Sequence, residues 1–240
     1  MAIDDELDAL KGQYPESSKN LGLELSLKVL TAIPGQIGLA ANILNILRNH
    51  FSTKTMAERA QLLFDGLERM VRRLEKRVSD VEGRLDSPEF AQAYVSVANI
   101  AILTANTARV EQFGSVMGYE AASEDQKGWD EAAALVADLS RLTDSDLGAL
   151  RLMVHYQGDK VRDNPSDAEY HLMLTEFAKV RAEAIQQGIS RYDLYARALR
   201  LSGFGLAQPL NWNLSEWGPQ DMGFAPTPRG KRLVRILDLK

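Results

Sequence analysis

The chain has 240 residues and no cysteine, with 28 Lys+Arg against 33 Asp+Glu for a formal charge of −5. An apolar fraction of 45% with 25% charged residues excludes disorder and collagen-like structure, and the length fits one domain or two small ones. The missing thiols exclude disulfide scaffolds, thiolate zinc sites and cysteine nucleophiles, and the acidic balance argues against a surface that grips nucleic acid everywhere.

Residues 1–10 carry Asp4, Asp5, Glu6 and Asp8 and no basic stretch, so they do not read as a secretory leader; a cytoplasmic location is expected. Gly12, Pro15, Ser17 and Ser18 mark a loop after a short acidic helix. A helix over 21–33 stops at Pro34-Gly35, and a second runs over 36–49. Residues 1–52 thus form a polar segment followed by apolar helices. Val29 to Leu47 is a run of 19 residues without charge, about 28 Å as one helix, close to a bilayer's apolar thickness. Pro34-Gly35 divides that run.

The clearest periodicity follows. Phe64, Leu67, Val71, Leu74, Val78, Val81 and Leu85 alternate in steps of three and four, with Ala57 and Ala60 upstream. The pattern is that of a coiled coil with charged flanks. Such a narrow stripe either folds back on the next helix or pairs with a copy of itself, so these seven residues are the candidate self-association or partner surface. Ser87-Pro88-Glu89 restarts the chain as an N-cap, a first helical proline and a favourable acid. The next helix is predicted over 88–117, making 53–142 a long antiparallel helical hairpin or bundle. Phe90 to Ala108 is a second uncharged run of 19 residues.

Residues 119–128 are a polar break before a helix over 129–141. Thr143 caps a helix to about His155, and Ser166-Asp-Ala-Glu169 has capping-box form for a helix to Gln187. Gly188 ends that helix; Ser190 caps another, closed by Gly203. Pro209, Trp212, Trp217, Gly218, Pro219, Gly223 and Pro226 then change the texture, and two strands are predicted near 206–214 and 222–226. Thr227-Pro228 opens a last helix over 228–238.

Residues 143–240 therefore have the element order of a winged-helix-like α+β subdomain. A DNA-reading version needs basic groups on the recognition helix and nearby phosphate contacts. Arg191, Arg197 and Arg200 on the 190–202 helix, with Arg229, Lys231, Arg232 and Arg235 on the last one, are the candidate nucleic-acid contacts. Leu194, Tyr195, Ala198, Leu199 and Leu201 are expected on the opposite, apolar face. The charge balance agrees with a basic end, since residues 181–240 carry 9 basic and 5 acidic groups while 91–180 carry 7 and 14.

Catalytic patterns are missing. His50, His155 and His171 are the only histidines. His155 and His171 flank Asp159, Asp163, Asp167 and Glu169 without EF-hand spacing or an H-E-x-x-H motif. No G-x-S-x-G, Walker A or G-x-G-x-x-G occurs. The expectation is a non-enzyme with no catalytic residues, no metal and no cofactor.

Four stretches carry a resemblance: Ile33-Pro-Gly35, Ala108-Arg-Val-Glu-Gln112, Leu139 to Leu147, and Thr227-Pro-Arg-Gly-Lys-Arg-Leu233. Together they resemble bacterial helical proteins of the abortive-infection alpha type. The resemblance implies a helical bundle with a winged-helix-like end and a phage-defence or stress role.

The expected fold is mainly α: a helical bundle with a long antiparallel hairpin and a C-terminal winged-helix-like α+β subdomain. The expected function is a non-catalytic adaptor or effector that acts by self-association or by binding a protein partner. Two alternatives stand beside it: a winged-helix DNA-binding regulator, and a membrane-active, pore-forming effector using the uncharged runs 29–47 and 90–108.

Overall fold

The computed structural model describes residues 54–74, 81–124, 127–157, 167–210 and 222–239. The expectations for residues 1–52, including the uncharged run 29–47, lie outside the described residues, as do Val78, Asp159, Asp163 and Ser166. The described residues are mainly helical, with one small antiparallel sheet of two strands. The chain divides into two compact units, Met1–Val136 and Ala137–Lys240.

The first unit contains α1 (Lys54–Leu74), α2 (Val81–Leu85), α3 (Pro88–Leu103) and α4 (Thr107–Ala122); α5 (Trp129–Arg141) begins in it. Ser87 caps α3 as predicted, its hydroxyl accepting from the Phe90 amide at 3.1 Å, with Pro88 in the first turn. The helix predicted over 88–117 is instead two helices. Thr104 turns its hydroxyl onto the Ile100 carbonyl at 2.8 Å, and the Asn106 side chain accepts from the Arg109 amide at 3.2 Å. These side chains offer the backbone partners outside the helix and so end one helix and cap the next. The uncharged run 90–108 is therefore not one continuous span. No described helix is long and apolar enough to cross a membrane.

The α3 helix leads back toward the start of α1, where the Arg59 guanidinium donates to the Ala105 carbonyl at 2.9 Å. From there α4 runs in the same direction as α1. Arg69 meets Glu111 at 3.2 Å, and beyond it Arg84 donates to the carbonyls of Ala121 and Ser123, both at 3.1 Å. The closest partner of α1 is thus α4, reached after two intervening helices, the short α2 and α3.

Glycine makes this contact possible. A methyl group on Gly66 would strike the Glu111 carbonyl oxygen, and one on Gly114 would strike that of Leu63. At Gly118 it would stand 2.5 Å from the Leu67 carbonyl oxygen. Gly114 and Gly118, expected near a helix end, are interior residues of α4 spaced four apart on the face that meets α1.

The second unit contains α6 (Asp144–Gln157), α7 (Asp167–Gln186), α8 (Arg191–Gly203), β1 (Ala207–Pro209), β2 (Phe224–Pro226) and α9 (Pro228–Asp238). The strands pair antiparallel, Ala207 opposite Pro226 and Pro209 opposite Phe224. The caps at Thr143, Ser190 and Thr227 form as predicted. The α7 helix ends at Gly188, in the left-handed region at φ 78°, with the Ile189 amide reaching back to the Ala184 carbonyl. The end of α8 differs from expectation. Gly203 is its last helical residue, and Gly205 takes the left-handed position at φ 66°, with the Leu206 amide on the Leu201 carbonyl.

Phe224 sits at the centre of this unit, fully buried, with its ring against Phe177 of α7 and Tyr195 of α8. Leu150 and Met153 of α6, Val180 of α7, Leu201 of α8 and Leu233 of α9 complete the core. Buried Gln157 ties three elements together: its amide donates to the carbonyls of Met173 and Phe224, each at 3.0 Å.

Candidate functional site

Phe64, Leu67, Val71, Leu74, Val81 and Leu85 are all buried within the chain. Within α1 the stripe faces inward, toward the crossing that Gly66, Gly114 and Gly118 allow.

The seven basic candidates lie in α8 and α9, but several are already engaged. The Arg200 guanidinium lies 3.1 Å from the Asp146 carboxylate, which is 1% exposed. Arg229 meets Asp138 at 2.6 Å and also donates to the Phe204 carbonyl at 2.6 Å. Arg197 is half-buried and donates to the Ser145 carbonyl at 3.5 Å. Arg232 is buried and Lys231 half-buried, while Arg191 and Arg235 are exposed. Internal carboxylates thus take up the charge of Arg200 and Arg229. A phosphate-binding track needs several cations facing outward together, because each phosphate neutralised adds to affinity. On α8, Arg191 is exposed, while Arg197 and Arg200 keep part of their side chains exposed and are bonded within the chain.

Between charged flanks, α8 also presents an apolar ridge outward. Leu194, Ala198 and Leu201 turn into the core. On the other side Tyr192 is 71% exposed and Leu199 is 45% exposed, with Ala196 and Gly203 also exposed. At 100° per residue these four fall on one ridge. The expectation that Leu199 shares the buried face is corrected here. The signal was present, since position 199 stands seven residues from 192 and only two from 201, nearly opposite Leu201 on the helix.

Among the described residues no group of three or more His, Asp or Glu side chains is placed to hold a metal ion. His155 packs against Tyr156 edge-on, with ring centres 4.9 Å apart, and His171 is exposed. Tyr94 has a strongly displaced pKa. Burial pushes its phenol well above the usual tyrosine range, and the nearby charge of Asp65 adds to the shift. It lies in the α1–α3 packing, not at the surface.

The surface that stands out is therefore the α8 ridge, an exposed apolar strip on a helix whose inner face is fixed in a core. Compared with protein-family models, with curated proteins and with solved structures, the chain matches none.

Proposed function

We propose that this chain is a non-catalytic interaction protein. Its second unit acts as a winged-helix-like module that contacts protein, not DNA, through α8. The order α6, α7, α8, β1, β2, α9 supports the winged-helix reading: three helices, a two-stranded antiparallel sheet and a closing helix. In a DNA reader the third helix carries polar and basic groups to the major groove. Here the ridge farthest from the core is Tyr192, Ala196, Leu199 and Gly203, with Arg191, Asp193 and Arg200 on its flanks. Exposed aromatic and aliphatic groups on a rigid element are what a protein interface needs at its centre. The observation that carries this reading is the exposure of Tyr192 and Leu199 beside an Arg200 already paired with Asp146. An adaptor or effector role in bacterial phage defence or stress is the setting that the sequence resemblance implies.

The test is photo-crosslinking in cells, with Tyr192 replaced by p-benzoylphenylalanine and Gln186 replaced in the same way as a control. The expected outcome is a protein adduct from position 192 that resists nuclease, with none from position 186. A nuclease-sensitive adduct, or no adduct at either position, overturns the reading.

A further inference from the structure

The α8 ridge is complementary to itself. Along the helix its four residues read large, small, large, small: Tyr192, Ala196, Leu199, Gly203. We propose that α8 is a self-recognition surface through which two copies of this chain pair antiparallel, Tyr192 of each over Gly203 of the other and Leu199 of each over Ala196 of the other. This rests on the protein-contact reading above and names the partner.

One two-fold axis produces both contacts, because the midpoint of 192 and 203 and that of 196 and 199 coincide, between Arg197 and Ala198. A self-complementary patch is what a symmetric dimer interface requires. Small residues opposite large ones let two helices approach with the large groups seated, as ridges into grooves.

Gly203 sets the small end of the ridge. It is the last helical residue of α8 and lies outside the left-handed region. A side chain there would meet open space. Among the described residues nothing fills the space over Gly203, which leaves a recess able to seat Tyr192 of a second copy.

The flanks agree with the pairing. Asp193 and Arg200 lie on one flank of the ridge, and the antiparallel arrangement sets Asp193 of each copy diagonally across from the exposed side of Arg200 in the other. On the opposite flank Arg191 comes opposite Ser202. Arg197, closest to the axis, is turned back onto the Ser145 carbonyl. No acid faces an acid, and no pair of outward arginines meets.

At 13 residues, α8 is about 20 Å long. One helix pair of that length buries less than the roughly 800 Å² per partner of a standard interface. The dimer is therefore weak and concentration-dependent.

Sedimentation velocity of the full chain over a concentration series tests this. The expected result is a monomer–dimer equilibrium that Tyr192→Glu and Leu199→Glu each abolish, with helical content and thermal midpoint unchanged. The chain has no cysteine, so introduced thiols react only with each other. A mixture of Ala196→Cys and Leu199→Cys proteins should form a mixed disulfide at least roughly tenfold faster than Ala196→Cys mixed with the control Gln186→Cys, because pairing raises the local thiol concentration. A monomer at every concentration, or disulfide formation at the control rate, overturns the proposal. If the chain is monomeric while position 192 crosslinks to a different protein, self-pairing fails and the protein-contact reading stands. If position 192 crosslinks to nucleic acid, both fail.

Discussion

Arg200, near the end of α8, reaches the buried carboxylate of Asp146 in the first turn of α6, at 3.1 Å. The same carboxylate accepts from the Thr143 amide at 2.8 Å and the Thr143 hydroxyl at 2.7 Å, and the hydroxyl accepts in turn from the Asp146 amide at 3.1 Å. A helix cap and an inter-helix ion pair therefore share one carboxylate. This fixes α8 against α6 while leaving the other side of the Arg200 guanidinium exposed.

The two partners should differ in weight. Asp146→Ala removes the cap and the ion pair together and is expected to lower stability by about 2–3 kcal/mol. Arg200→Met leaves both Thr143 bonds in place and removes a half-exposed guanidinium, so a loss of about 1 kcal/mol is expected. Urea denaturation of the two variants checks the order.

Two helical glycines, Gly114 and Gly148, should respond with opposite signs. Gly114→Ala drives a methyl into the Leu63 carbonyl of the neighbouring helix, and α1 and α4 must separate. A loss of about 3 kcal/mol or more is expected, at the upper end of overpacking effects. Gly148 lies inside α6 with open space where a methyl would go. Gly148→Ala should stabilise by about 1 kcal/mol through helix propensity alone. Thermal denaturation of both variants reads the contrast.

Gln157 joins α6 to the backbones of α7 and β2 from a fully buried position. Gln157→Leu keeps the bulk and leaves the carbonyls of Met173 and Phe224 without these donors. About 2–4 kcal/mol of destabilisation is expected, since each buried acceptor left without a donor costs about 1–3 kcal/mol. Hydrogen exchange should show faster exchange in α7 and β2 of this variant.

Tyr94 is fully buried, and its hydroxyl finds no partner among the described residues. Its folded pKa lies above the ordinary 10.0. The unfolded chain therefore releases this proton first as pH rises. The contribution of Tyr94 is complete below pH 10 and is lost progressively above it. Tyr94→Phe should be neutral or slightly stabilising at neutral pH, because it removes an unsatisfied polar group. It should also flatten the alkaline loss of stability. Denaturation midpoints measured from pH 8 to pH 11 for both proteins, with tyrosinate absorbance, check the sign.

Several features were legible before any coordinates. Ser87, Thr143, Ser190 and Thr227 cap the helices that follow them, because capping depends on a side chain and an amide three residues away. Gly188 ends α7 for an equally local reason. The break at Thr104 and Asn106 was harder to see. Apolar spacing continues through it, and the interruption comes from two polar side chains bonding their own backbone. The candidate site was legible in its residues but not in its use. Arg191, Arg197 and Arg200 mark α8, yet where the guanidinium groups of Arg197 and Arg200 go depends on Ser145 and Asp146, more than forty positions away in the chain.

The sequence by itself determined the helical class, most helix starts, the two strands and the stripe from Phe64 to Leu85. These follow from contacts spanning a turn or two of backbone. Only the tertiary structure decided that α1 packs most closely on α4, that Arg200 belongs to Asp146, and that Tyr192 and Leu199 remain outside. The reason is physical. Periodicity states that a face must be covered, but the partner is set by which backbones can approach, and here Gly66, Gly114 and Gly118 decide it.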